Sequence, residues 1–105
     1  MRAIITGLLM AVALPAVGQD FGSMNTAVEL GTVLGSEEAC GLSYDQEAIT
    51  AFIEAEVAAD DMSFASTLQT MVMGQEMQIN ELSASAKTAH CAQITRVARS
   101  YGFIE

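Results

Sequence analysis

In the second half of this 105-residue chain the apolar positions recur every three to four residues. Ile49, Phe52, Ile53 and Val57 fall on one face of a helix, with Glu47 and Glu54 opposite. Glu56 falls nearer the apolar sector, where its stem can snorkel or the helix can end. Ser43 followed by Gln46 has the spacing of a capping box, so this helix is predicted to start near Tyr44. Phe64, Leu68, Met71, Val72, Ile79 and Leu82, with Gln75 in the gap, keep helical period over residues 64–82, about 28 Å of helix. Asp60 and Asp61 ahead of it suit an N-cap and the positive end of the helix. Gly74 inside costs about 1 kcal/mol relative to alanine. Ala86, His90, Ile94, Val97 and Tyr101 form the last stripe, with Cys91 and Ala98 at its edge. Ser83 to Ser85 either cap that helix or lie within a continuing one. Arg96 and Arg99 sit on its outer side near the C-terminus, Gly102 suits its end, and Phe103 and Ile104 are expected to fold back as an apolar clasp.

Before Cys40 the pattern is looser. Met24, Ala27, Leu30 and Leu34 predict a helix over about 24–39, weakened by Gly31 and Gly35. The spacing of those two glycines permits close approach of another helix. No stretch alternates with period two, and no Asn-Gly or Asp-Gly turn occurs. The expected fold is all-α: a small bundle of three to four antiparallel helices over residues 24–105, preceded by a flexible stretch at 19–23.

Residues 1–18 read as an address. Arg2 precedes an uncharged apolar run broken by Pro15, which closes on Ala16-Val17-Gly18, the pattern of a secretory signal cleaved after Gly18. The rival reading is an uncleaved membrane anchor, for which the run is short of the roughly 20 residues of a spanning helix. The expected location is periplasmic or secreted, with no membrane association after cleavage. In an oxidising compartment Cys40 and Cys91, the only cysteines, are expected to form one intramolecular disulfide. Closing a loop of about 50 residues contributes about 4 kcal/mol. Acids outnumber bases 13 to 4 in the whole chain, and beyond residue 18 the three remaining bases leave a balance of −10. Such a charge repels phosphate, so no nucleic-acid partner is expected.

Candidate chemistry is sparse. There is no nucleophile-elbow, zincin, phosphate-loop, dinucleotide or calcium-loop motif, and no CxxC, so no catalytic residue, metal ligand or cofactor is assigned. His90, the sole imidazole, lies mid-face on its helix. It reads as a partly buried ring bonded to a carbonyl or carboxylate, the rivals being a metal ligand or a pH switch. Met62, Met73 and Met77 share one side of the long helix, opposite its main stripe. They read as packing residues, as an adaptable contact surface, or as thioether ligands for Cu(I). The acids at 37–38, 47, 54 and 60–61 read as solvated faces and caps.

Three blocks carry a resemblance: Glu37–Gln46, Asp60–Ser66 and Ser83–Cys91. They resemble those of a family of short secreted proteins of Gram-negative bacteria, over most of residues 30–104. This implies export without implying an activity. In architecture the chain is also similar to periplasmic acid-stress chaperones of the HdeA type, which are helical, of this size after cleavage, and tied by one disulfide. That likeness brings no client-binding residue onto this chain. The expected function is therefore an exported interaction module or accessory subunit, not an enzyme, that acts on an unidentified protein partner. The alternatives are a pH-responsive holdase and Met-based Cu(I) binding.

Overall fold

The computed structural model describes the backbone of residues 15–105 and the side chains of residues 22–105. Most of the expected signal, residues 1–14, lies outside the described residues. Four helices follow in order: α1 (Pro15–Leu34), α2 (Gln46–Glu56), α3 (Phe64–Ile79) and α4 (Ala84–Ser100). Among the described residues there is no strand, so the protein is an all-α bundle.

α1 starts earlier than its apolar stripe predicts and runs continuously through residues 19–23. It also ends earlier, at Leu34 and not near Ala39. From Ser36 the ladder tightens into i−3 bonds, Ser36 N–H to Val33 O and Glu37 N–H to Leu34 O, each 3.3 Å. α2 is capped by Asp45 in place of Ser43. The Asp45 carboxylate accepts the N–H groups of Glu47 at 3.0 Å and Ala48 at 3.4 Å. The chain ahead of it is already pinned, with Tyr44 N–H on the Glu37 carboxylate at 2.8 Å and Asp45 N–H on Phe103 O at 2.9 Å.

At α3 the residue in the cap position is Ser63, whose side chain does not cap. Asp61 instead accepts the Ser63 hydroxyl at 3.0 Å and, from α1, the Ser23 hydroxyl at 2.7 Å. α3 ends at Ile79, so Leu82 falls in the following turn and is exposed. Ser83 caps α4, accepting Ala86 N–H at 3.2 Å, so a new helix starts there. Gly102, at φ +82°, ends it with the paired bonds of a Schellman motif, Gly102 N–H to Arg99 O and Phe103 N–H to Ala98 O, both 3.0 Å. That reversal turns Phe103 inward, where 1% of its surface remains exposed.

Consecutive helices reverse direction, as short connections require. Tyr44, just before α2, donates its hydroxyl to Val33 O at 2.9 Å, whereas Val57 after α2 faces the N-terminal part of α1 across a cleft. The tightest contact nevertheless joins α1 to α3, which run parallel: Ser23 meets Asp61, Gly31 meets Met71 and Gly35 meets Gln75. The two glycines supply the close approach their spacing permits. A methyl built on Gly31 would fall 2.5 Å from Met71 Cβ, and one on Gly35 would fall 2.7 Å from Gln75 Cβ.

Leu30 and Val33 of α1, Phe64 of α3, and Ile94 and Ala98 of α4 form the core with Tyr44 and Phe103. α2 contributes no fully buried residue. It packs through the half-buried Ala48, Ile49, Phe52 and Ile53, the Phe52 ring lying 4.9 Å from Tyr101 and 6.0 Å from Phe103. The disulfide forms between Cys40 and Cys91, with Cα atoms 5.4 Å apart, and ties the turn after α1 to α4. No helix among the described residues is long and apolar enough to cross a membrane.

Candidate interaction face

Because α3 and α4 both lean on α1, one side of the bundle has these three helices side by side. α1 presents a ridge there at Val28 and Thr32, one helical turn apart. Val28 is 42% exposed, and Thr32, half-buried, turns its hydroxyl back onto Val28 O at 2.9 Å. A groove runs along each flank. Thr70, Gly74 and Met77 of α3 line the first with Val28 and Thr32, around about 590 Å³. Val33, Ile94, Val97 and Tyr101 line the second with Val28, around about 470 Å³. Nothing lies within 4 Å of where a Cβ would stand on Gly74.

Beneath the surface, in the turn just after α1, Ser36 forms a polar clasp with side chains of α3 and α4. Ser36 is fully buried, and its hydroxyl donates to Thr32 O at 2.8 Å. The same oxygen lies 2.9 Å from His90 Nε2 of α4. Gln75 Nε2 of α3 approaches that ring nitrogen at 3.3 Å. His90 is thus half-buried and hydrogen-bonded, as its position predicts, but its partners are a hydroxyl and an amide, not a carbonyl or carboxylate. Gln75 lines the first groove and His90 the second.

Acidic groups flank the face. Glu81 borders the first groove and Glu29 the second. Burial, then the carboxylates of Glu29 and Glu56, pushes the Tyr101 phenol above its ordinary value. Burial, followed by Glu37, pushes Tyr44 up to about 12. The hydroxyls of Ser23 and then Ser63 hold Asp61 below the usual carboxylate range.

The expected methionine surface is divided. Met73 and Met77 are neighbours on the outer side of α3, 56% and 68% exposed, and Met77 borders the first groove. Met62, 84% exposed, lies in the turn before α3 and not on the helix. The nine steps from Phe64 to Met73 rise about 13 Å, so Met62 does not share the other two methionines' patch. The exposure of all three rules out their reading as internal gap-fillers. Among the described residues no three His, Cys, Asp or Glu side chains gather to hold a metal ion, and no cysteine is free. Sequence reasoning missed Val28, Thr32, Ser36 and Gln75. The i, i+4 spacing of Val28 and Thr32 along α1 was the available signal for the first two. Comparison with family models, curated proteins and solved structures finds no match for this chain.

Proposed function

We propose that the protein is an exported interaction module whose α3–α1–α4 face docks a cationic amphipathic helix of a partner protein. The observation that carries this reading is exposed Val28 standing between two grooves, the first bordered by exposed Met77 and Glu81 and the second by Glu29, on a chain of net charge −9. Like-charged copies repel, so the charge balance disfavours a second copy and favours a basic partner with an apolar stripe. Val28 and Met77 serve as apolar anchors, and the open space over Gly74 admits the partner's backbone. Adaptable thioethers suit such a surface. The Cys40–Cys91 link supports export to an oxidising compartment, periplasmic or extracellular. Finding the full-length precursor inside the cell with both thiols free would remove that part of the reading.

The docking test is a titration of the purified, disulfide-bonded protein with a fluorescent leucine–lysine amphipathic peptide. A leucine–glutamate peptide serves as control. The lysine peptide is expected to bind, more weakly as salt rises, and the glutamate peptide to fail. Val28→Ser with Met77→Ser removes two exposed anchors without touching the core, and is expected to weaken binding about tenfold. Equal binding of both peptides, or unchanged affinity in the double variant, refutes the reading.

A second reading, a holdase that opens in acid, draws on α2, which buries no residue fully and packs on the core through the half-buried Ala48, Ile49, Phe52 and Ile53. It predicts dye binding below about pH 4 with helix retained. Packing that survives at that pH eliminates it.

A further inference from the structure

We propose that Met77 is the oxidant-sensitive element of the docking face: a hydroperoxide converts its thioether to a sulfoxide, the fold stays intact, and affinity for the cationic helix falls. The regulatory role rests on the docking reading above; the modification itself rests on which sulfur atoms the fold leaves within reach. The chain has no tryptophan, and its two cysteines are joined, so no indole or free thiol competes for the oxidant. The side chains that remain readily oxidised are methionines. Met62, Met73 and Met77 are more than half exposed, and Met24 is exposed at the cleft between the start of α1 and the turn before α3. Met71 is half-buried, its Cβ lying under Gly31 of α1. Of the exposed four, Met77 alone lines a groove of the docking face. Helix stability does not call for methionine there, since leucine matches it in helix propensity and has no oxidisable atom.

The step is an oxygen transfer. A sulfur lone pair attacks one peroxide oxygen, and the S–O bond forms as the O–O bond breaks. The proton on the transferred oxygen passes to the leaving oxygen. Sulfur gives up two electrons, and the hydroperoxide is reduced to an alcohol, or hydrogen peroxide to water. The oxidant has to reach the sulfur in line with its O–O bond, so the rate follows exposure. On Met77 the new oxygen stands in the first groove, on the helix face shared with Gly74 and Glu81. An apolar stripe seated there covers that oxygen without offering it a donor. Burying an unpaired polar group opposes binding, by about fivefold for one sulfoxide. The core does not feel the change, because the buried residues of α3 are Phe64 and Ile79 and Met77 faces water.

The test has two arms on the disulfide-bonded protein, with hydrogen peroxide as the oxidant. In the first, the protein is sampled over time, and mass spectrometry of its peptides locates each added oxygen. Met62, Met73 and Met77 are expected to be oxidised before Met71, with helical circular dichroism unchanged. Oxidation of Met71 as fast as Met77, or loss of helix as Met77 reacts, overturns the site. In the second arm the leucine–lysine peptide is titrated against the protein before and after this treatment. Wild type is expected to lose about fivefold affinity. Met77→Leu, which keeps an apolar anchor, is expected to bind like untreated wild type and to lose nothing on treatment, whereas Met62→Leu loses as much as wild type. Oxidised wild type that binds as before, or Met77→Leu that loses as much as wild type, overturns the regulatory role. Failure of the peptide to bind untreated protein refutes the docking reading and the regulation with it, and the order of oxidation then decides the site by mass alone.

Discussion

Adding one methyl at each of two glycines separates the packing of α1 on α3 from everything else a glycine does. Gly31 and Gly74 both lie inside helices, so replacing either with alanine gains about 1 kcal/mol of intrinsic helix stability. Their surroundings differ completely. The new Cβ at Gly31 would fall 2.5 Å from Met71 Cβ, against backbone-rooted atoms of α3, whereas at Gly74 it meets nothing within 4 Å. Relieving the first contact requires the two helices to separate, at a typical overpacking cost of about 1–3 kcal/mol. The propensity gain cancels in the comparison, so Gly31→Ala is expected to be less stable than Gly74→Ala by about 1–3 kcal/mol. Gly74→Ala itself should exceed wild type by up to about 1 kcal/mol. Urea unfolding of the three proteins, followed by helical circular dichroism, measures this provided the slopes agree. For a domain of this size each kcal/mol corresponds to about 4–8 °C in melting temperature. If Gly31→Ala matches or exceeds Gly74→Ala in stability, the close parallel contact of α1 with α3 is wrong.

Two further outcomes follow from the same packing. Cys40→Ser with Cys91→Ser opens a loop of sequence separation 51 and is expected to lower stability by about 4 kcal/mol in denaturant, a loss that reduction of the wild type should reproduce; an unchanged midpoint contradicts the staple. The Tyr44 phenol keeps its proton in the folded chain to about 12 but loses it near 10 when unfolded, so stability should be whole below pH 10 and decline as pH rises toward 12. Absorbance of the phenolate should show Tyr44 ionising late in wild type and early in urea, and normal titration of both tyrosines in the folded protein would contradict the burial assigned to Tyr44.

Helix positions, the covalent link and the turned-in C-terminus were all legible in one dimension, because each has a local or chemical cause. Ser83 caps its own helix, Gly102 supplies the left-handed residue that returns Phe103 to the core, and two cysteines allow a single pairing. Boundaries were less legible. Ser43 has the spacing of a capping box, yet Asp45 caps α2, because Glu37 and Phe103 fix the backbone at Tyr44 and Asp45 from elsewhere in the fold. Met62 shares a helical phase with Met73 and Met77 only if the helix extends over it, and α3 begins two residues later.

What the amino-acid order determined by itself was the class of molecule: helical period, an acidic balance and one possible disulfide follow from residue chemistry and spacing. Which helices touch was left to the tertiary structure. The Gly31–Gly35 spacing permits a close neighbour without naming it, and the choice of α3, in parallel, depends on how the bundle closes as a whole. The same closure brings Ser36, Gln75 and His90 onto one nitrogen. Contacts between residues 15 to 54 positions apart carry no periodic trace, so that site exists only once the three helices have met.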